Sequence, residues 1–134
     1  MIWDVLLLRL PDDAASVQDV PKGYASPPLG RLQDVLAIVR QVLPEADLSD
    51  PAWGELVGPT WSLGLNIGWR DPVDSVMLHI RGSGDDVLVP VFRLADALGC
   101  RVLDFAEGDL ITPRQSSGWH AFQEFRDRVT GPAD

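Results

Sequence analysis

The fold is decided by the stretch Trp61-Ser62-Leu63-Gly64-Leu65-Asn66-Ile67-Gly68-Trp69-Arg70. Large apolar residues occupy the odd positions, and small or polar residues occupy the even ones. Because successive side chains of a β-strand point to opposite faces of the sheet, this pattern predicts a half-buried strand over the whole stretch. The second face of that strand is nearly bare, so another strand, a helix or a ligand can approach it closely.

The segments before this stretch predict one more strand and one helix. An apolar run at the start of the chain has large side chains on both faces, which is typical of a central strand and not of a signal peptide. A polar, proline-containing loop follows, and apolar residues at helical spacing then predict a helix that Pro44 ends. The next residues show no regular pattern. These segments are the strand Ile2–Leu10, the loop Pro11–Pro28, the helix Leu29–Leu43 and the irregular stretch Glu45–Thr60.

The segments after this stretch predict two strands and two helices. A turn at Asp71-Pro72-Val73-Asp74 leads into a strand that ends at Arg81, because aspartate before proline suits a type I turn. A helix then ends at Leu98, where Gly99 is suited to a left-handed cap. Pro90 must lie within the first turn of this helix or mark its start. The remaining segments are a strand at Arg101–Phe105 and a terminal helix that begins at Ser116 or Ser117.

The element order predicts an α+β fold of the ferredoxin-like class, a split β-α-β-β-α-β antiparallel sheet with two helices on one face, plus a C-terminal helix. The 134 residues, numbered 1–134, are expected to form a single domain with its own core. We expect the helices to cover Leu63, Leu65, Ile67, Val76, Leu78 and Ile80. The opposite face should then carry Trp3, Val5, Leu7 and Met77.

That opposite face is apolar and needs a cover. The C-terminal helix, through Trp119 and Phe122, is the favoured cover. A second copy of the protein, docked through the open sheet face, is the alternative. The sequence therefore leaves both a monomer and a homodimer open.

The excess of acidic over basic residues limits the kinds of partner that the protein can bind. Twenty acidic residues outnumber eleven basic ones, for a net charge of −9. Nucleic acid and anionic membranes are unfavourable partners, since both are bound by neutralising their negative charge. A basic protein would be attracted, although an acidic surface also simply maintains solubility. One cysteine, Cys100, excludes an internal disulfide and favours a cytoplasmic location.

A first candidate site is a groove on the second face of the central strands. Asn66, His79 and Arg81 would line it. A histidine can act as an acid or base near neutral pH, and an arginine can bind a carboxylate or phosphate. The simpler interpretation is that His79 and Arg81 border an exposed strand and are solvated, because no nucleophile or paired carboxylate accompanies them.

A second candidate site consists of loop aspartates with one tryptophan. Carboxylates can bind metal, but each of these has a simpler role in a turn or at a helix start, and no metal or cofactor is expected. Gly82-Ser83-Gly84 lacks the lysine or threonine of a phosphate loop. Cys100 follows a helix end, where the helix dipole raises its pKa, so cysteine catalysis is not expected. The candidate residues for binding a protein partner are Asp47, Asp50, Trp53, Asp71, Asp74, Asp85 and Asp86.

Three segments together carry a resemblance. They are Trp3–Pro11, Trp61–Asp86 and Leu94–Asp104. In these segments the chain resembles a group of small, acidic, uncharacterised bacterial proteins, some of which are similar to immunity partners of bacterial toxins. The resemblance covers about half of the chain and implies a fold and a protein partner, but it transfers no catalytic residue.

These observations favour a non-catalytic, cytoplasmic module that binds another protein through an acidic surface. Neutralising a toxin would suit the charge, because nucleases that bind nucleic acid are basic. The alternative is a small-molecule-binding or enzymatic ferredoxin-like domain that uses Asn66, His79 and Arg81. A pocket enclosed around His79 would favour the alternative, and a flat acidic face with a solvated His79 would favour the binding module.

Overall fold

The computed structural model describes residues 2–130 as an α+β fold, as predicted. In this part of the chain six strands form one antiparallel open sheet, in the order β2-β3-β4-β1-β5-β6, and three α-helices accompany it. The strands are β1 Trp3–Leu8, β2 Trp53–Val57, β3 Trp61–Asn66, β4 Val76–Gly82, β5 Arg101–Asp104 and β6 Leu110–Ile111. The helices are α1 Leu32–Val42, α2 Leu88–Leu98 and α3 Ser117–Thr130.

The sheet has two strands more than predicted, one at each edge. β2 lies inside the stretch that was interpreted as irregular, so that interpretation was wrong. Its inward positions are Gly54, against which Leu48 packs, and Leu56, and a glycine at an inward position hides the alternating pattern. The observed strand order therefore differs from the predicted four-stranded arrangement, and the ferredoxin-like class is not confirmed.

The central strand is also shorter than predicted. β3 ends at Asn66, because the backbone N–H groups of Ile67 and Gly68 both donate to the carbonyl of Ala52. The connection to β4 then takes nine residues, 67–75, instead of a tight turn. It includes a cis peptide bond between Asp71 and Pro72.

The face that the helices cover differs from the prediction at β1. Trp3, Val5 and Leu7 pair directly with Ile80, Leu78 and Val76, and residues that pair across antiparallel strands share a face. All six side chains are buried in one core with Val35 and Val39 of α1 and Val91, Leu94 and Leu98 of α2. Trp3, Val5 and Leu7 therefore lie under the helices and not on the opposite face.

The C-terminal helix packs on this helix-bearing side as well. Trp119 of α3 is fully buried, and its ring centroid lies 5.1 Å from that of Trp3. Its indole N–H donates to the carbonyl of Gly84. The expectation that Trp119 and Phe122 cover the opposite face was therefore wrong. We call that opposite side of the sheet the open face.

A loop covers one half of the open face. Ala14, from the predicted loop, is buried with Leu103 and Leu110, and Val20 packs against the same cluster. The Arg101 guanidinium donates hydrogen bonds to the carbonyls of Pro11 and Ala14 and holds the loop in place. The half of the open face on β2, β3 and β4 lies outside this cover.

Both edges of the sheet carry additional backbone pairing. Asp47 and Glu55 exchange two backbone hydrogen bonds on the outer side of β2. At the other edge, the N–H of Leu110 donates to the carbonyl of Ala15, and Ser16 bridges Asp109. Strand-by-strand extension of the sheet is therefore blocked at these positions.

Candidate functional site on the open face

The uncovered half of the open face carries a small set of polar and aromatic side chains in two adjacent rows. Strand pairing places Glu55, Gly64, His79 and Asp4 in one row. The next row contains Trp53, Asn66, Met77 and Leu6. We call the surface formed by Asp4, Trp53, Glu55, Asn66, Met77 and His79 the Trp53 surface.

His79 is the centre of the Trp53 surface. Its Nδ1 lies 2.6 Å from Oδ1 of Asp4, on the neighbouring strand. The Trp53 indole stacks on the imidazole, with ring centroids 5.0 Å apart and planes tilted by 12°. The Nε2 atom of His79 is buried and has no hydrogen-bond partner among residues 2–130. His79 is thus held between a carboxylate and an aromatic ring, and the prediction of a solvated side chain does not describe it.

Gly64 lies beneath this stack. It pairs directly with His79, and a Cβ atom at Gly64 would lie 3.6 Å from Cβ of His79 and 3.7 Å from Nε1 of Trp53. Those are ordinary van der Waals distances, so the Trp53 ring lies in close contact across the glycine. The bare strand face seen in the sequence is therefore occupied by an aromatic side chain from the unpredicted strand β2.

An Asp–His pair can serve as a base when the second imidazole nitrogen faces a group that carries a proton. Here Asp4 accounts for Nδ1, but no described side chain bonds to Nε2. Because that atom is buried, a substrate would have to displace neighbouring side chains to reach it. In this conformation the geometry suits a fixed binding surface better than an exposed catalytic base.

The three residues of the predicted groove do not form one pocket. Arg81 is exposed and pairs with Ser62, one row away from His79. Asn66 lies in the Trp53 row and lines a shallow cavity of about 290 Å³ with Arg70, Asp74 and Met77. The predicted groove is therefore divided between adjacent rows of the sheet.

The predicted aspartates lie at opposite ends of the sheet. Asp47 and Asp50 precede β2, and Asp71 and Asp74 lie in the connection from β3 to β4, at the end where β2 begins. Asp85 and Asp86 follow the other end of β4. They therefore do not form a single cluster with Trp53.

At the first end, the carboxylates mainly organise backbone. Asp47 accepts hydrogen bonds from the hydroxyl and the N–H of Ser49, which lower the pKa of its carboxyl. Asp50 accepts from the N–H of Ala52. Asp71 accepts from the N–H of Leu32 at the start of α1, and Asp74 lies 3.3 Å from an exposed Arg70 nitrogen.

At the other end, Asp85 and Asp86 contact side chains of other elements. Asp85 lies 3.0 Å from Nε2 of His120 on α3. Asp86 accepts a hydrogen bond of 2.9 Å from the indole N–H of Trp61. These two aspartates connect the start of α2 to β3 and α3, so structural roles account for them.

Three further observations concern metal, thiol and membrane chemistry. Across residues 2–130, no group of three or more His, Cys, Asp or Glu side chains is placed to hold a metal ion.

Burial raises the pKa of the Cys100 thiol to about 11, and Arg9 opposes this shift. The largest cause of the raised pKa is therefore burial. Within the same described range, no helix is both long and apolar enough to cross a membrane.

Sequence reasoning missed two residues of the Trp53 surface. Asp4 was treated only as part of an apolar strand. A single carboxylate inside such a strand indicates that its side chain has a polar partner, because an unpaired buried charge is costly. Glu55 was missed because β2 was not predicted. Trp53 was singled out as a possible interface residue, but its contact with His79 joins positions 26 residues apart in sequence.

No family model matches the chain, and no curated protein matches it either.

Proposed function

We propose that the protein is a non-catalytic acidic interaction module that binds a basic protein partner through the Trp53 surface. One observation carries the proposal. The half-exposed Trp53 indole stacks on His79, beside the row that contains Glu55 and Asp4, on the half of the open face that the loop leaves uncovered. A rigid, partly exposed aromatic ring is a common anchor in protein interfaces.

The charges of this surface favour an arginine-bearing partner. A guanidinium can stack on an indole and donate hydrogen bonds to a neighbouring carboxylate at the same time. Glu55 and Asp4 lie in the row beside Trp53 and supply those carboxylates. The net charge of −9 would increase the rate at which a basic partner arrives.

The covered edges support face docking over strand addition. A peptide that adds to a sheet needs free backbone groups on an edge strand. Asp47 occupies these groups at Glu55 on β2, and Ala15 occupies the N–H of Leu110 on β6. A partner is therefore expected to contact side chains of the open face.

The finer identity of the module is part of this proposal. The four strands that the sequence predicted lie side by side in the order β3-β4-β1-β5. This order supports a ferredoxin-like core to which β2 and β6 add one strand at each edge. The acidic charge supports an immunity-like role in which the protein masks a basic toxin. We propose a cytoplasmic location on the basis of the single cysteine.

A capture experiment tests the Trp53 surface. Immobilised wild-type protein, the Trp53→Ala variant and a Val89→Ala control would be exposed to lysate of the source organism at low and high salt. Val89 is an exposed apolar residue of α2 and lies on the helix-bearing side of the sheet. We expect the wild type and the Val89→Ala control to retain a basic protein at low salt. High salt should remove this protein from both baits, and the Trp53→Ala variant should not retain it.

Two outcomes would contradict the proposal. Retention that Trp53→Ala leaves unchanged would place the interface elsewhere. Bound proteins without an excess of positive charge would remove the electrostatic argument. A parallel Asp85→Asn, Asp86→Asn bait tests whether the other end of β4 contributes.

A second candidate function, small-molecule binding at His79, is favoured by one specific observation. The buried Nε2 atom lacks a partner, and Asp4 fixes the other nitrogen of the ring. Movement of Trp53 would uncover a base of defined orientation. The same baits separate the two functions, because a metabolite site predicts no protein that depends on Trp53.

A further inference from the structure

An apolar cavity of about 430 Å³ opens at the end of the sheet where β1 begins and β5 ends. One wall is formed by Ile2 and by Phe105, whose N–H donates to the carbonyl of Asp4. The other wall is formed by Phe122 and Phe125 of α3. A volume of this size accommodates one or two large apolar side chains.

The rim of the cavity exposes more apolar surface than a solvated end of a sheet requires. Ile2 is 41% exposed, Phe105 60% and Phe125 50%. Three large apolar side chains that border one cavity and remain in water are typical of an interaction site. Phe122 also stacks on the buried Trp119 ring, with centroids 5.9 Å apart, so this wall is anchored in the core.

The charged residues that line the cavity within the described part of the chain are acidic. They are Asp4, Asp104 and Glu107, and this part of the lining contains no arginine or lysine. Asp104 is buried and accepts hydrogen bonds from the N–H groups of Ala106 and Glu107, so it is engaged within the protein. Asp4 and the exposed Glu107 are the carboxylates that can meet a bound molecule.

We propose that this cavity receives a large apolar side chain from a cationic segment of a protein partner, with lysine or arginine beside that side chain pairing with Asp4 and Glu107. Charge complementarity selects this occupant, because the exposed Glu107 and Asp4, which also bonds to His79, attract a cationic segment and would repel an acidic one. The proposal rests on the proposed function and extends it, since it specifies a second contact of the same partner.

The cavity and the Trp53 surface meet at Asp4. Asp4 belongs to both, because it bonds to His79 on one side and lines the cavity on the other. A segment that crosses the sheet along the His79 row would contact Trp53 first and Phe105 last. Both sites can therefore be filled by one basic segment with aromatic or aliphatic anchors at its two ends.

A peptide titration tests the cavity without the natural partner. The probe is a fluorescein-labelled amphipathic helical peptide of leucine, lysine and one central phenylalanine, and its matched control carries glutamate at every lysine position. Fluorescence polarisation would be measured with the wild type, Phe105→Ser and Val89→Ser. Phe105 and Val89 are both exposed, and circular dichroism would verify that each variant is folded.

We expect the lysine peptide to bind the wild type, and Phe105→Ser to weaken binding by about tenfold or more, as for an interface hot spot. Val89→Ser should bind within about twofold of the wild type, as surface changes outside a contact do. Absence of saturable binding, equal binding of the glutamate peptide, or an unchanged affinity in Phe105→Ser would each overturn the proposal. So would a homodimer in sedimentation equilibrium that Phe105→Ser dissociates, because the cavity would then be a contact between two copies.

Failure of this inference is distinguishable from failure of the proposed function. Capture of a basic protein that depends on Trp53, combined with peptide binding that ignores Phe105, would remove the cavity alone. Peptide binding that depends on Phe105, combined with capture that ignores Trp53, would remove the Trp53 surface and retain the cavity.

Discussion

Two glycines on neighbouring strands show how differently one residue type is used. Gly64 has ordinary van der Waals space for a methyl group under Trp53. Gly82 ends β4 with a φ of +96°, and a Cβ there would meet the backbone of Thr60 and lie 2.6 Å from Cα of Trp61. The first glycine leaves space for a side chain, and the second permits a backbone conformation and a close approach that other residues do not tolerate.

This contrast gives a matched pair of variants. We expect Gly64→Ala to leave the free energy of unfolding unchanged or to raise it by about 0.5–1 kcal/mol, since alanine in a strand loses less backbone entropy. Gly82→Ala should lower the free energy of unfolding by about 1–3 kcal/mol, because alanine is strained at this φ and clashes with β3. Urea denaturation measures both values, and equal effects of the two substitutions would contradict this account.

Residue identity predicted His79 as a site residue but did not predict its surroundings. Asp4 reaches it by strand pairing over 75 positions in the sequence. Trp53 reaches it across Gly64 from a strand that has little pattern of its own. Contacts of this kind depend on register and strand order, which alternation of apolar residues specifies only for one strand at a time.

At the scale of elements, long periodic segments were predicted well and short ones were not. α1 and α2 lie within the segments where helical spacing predicted them, with Pro90 in the first turn of α2 and Gly99 in the left-handed region after it. α1 begins at Leu32 and not at Leu29, because Leu29 and Gly30 pair with Val73 through backbone hydrogen bonds. β2 and β6 were missed, because five and two residues carry too few alternations to indicate a strand. The face that α3 covers was wrong, since an apolar stripe indicates that a helix packs but not on which side of a sheet.

The docking of α3 depends on the small size of Gly118. A Cβ atom at this position would collide with the Asp104 carboxylate and lie 3.7 Å from the Trp3 ring. Glycine to alanine inside a helix ordinarily stabilises it by about 1 kcal/mol. Here we expect Gly118→Ala to destabilise the protein instead, because Asp104 is buried and is held by two backbone N–H groups.

Hydrogen exchange provides the measurement for this prediction. Amides of α3 should lose protection in Gly118→Ala, while amides of β3 and β4 keep theirs. Glu124→Ala, an exposed substitution in the same helix, is the control and should leave the exchange pattern unchanged. Increased protection of α3 in Gly118→Ala would show that the helix does not pack closely on Asp104.

At the scale of the whole molecule, the dominant property is charge. A net charge of −9 on 134 residues produces repulsion within the folded protein. The ion pair between Arg70 and Asp74, for example, is exposed, and exposed pairs contribute little to stability. Added salt screens both the repulsion and the ion pairs. We therefore expect salt to increase the stability of the folded protein, because the repulsion is the larger of the two effects.

We expect the melting temperature to rise by a few degrees when sodium chloride increases from about 10 mM to about 150 mM, because the screening length shortens from about 30 Å to about 8 Å. Differential scanning calorimetry measures this shift. Asp12→Asn with Asp13→Asn, two exposed loop positions, changes the net charge from −9 to −7 and should reduce the shift. A melting temperature that falls with salt would show that attractive pairs outweigh repulsion.

The hydrogen bonds that Asp47 and Ala15 make along the outer strands have a consequence for how the protein behaves at high concentration. A sheet that exposes tryptophan and phenylalanine on its surface would ordinarily be at risk of fibril growth, in which each molecule adds its edge to the next. Because backbone partners already occupy Glu55 at one edge and Leu110 at the other, two molecules that meet through their aromatic patches cannot pair their strands at those positions. We therefore expect encounters between copies to stay reversible, which leaves the aromatic surface available to other proteins.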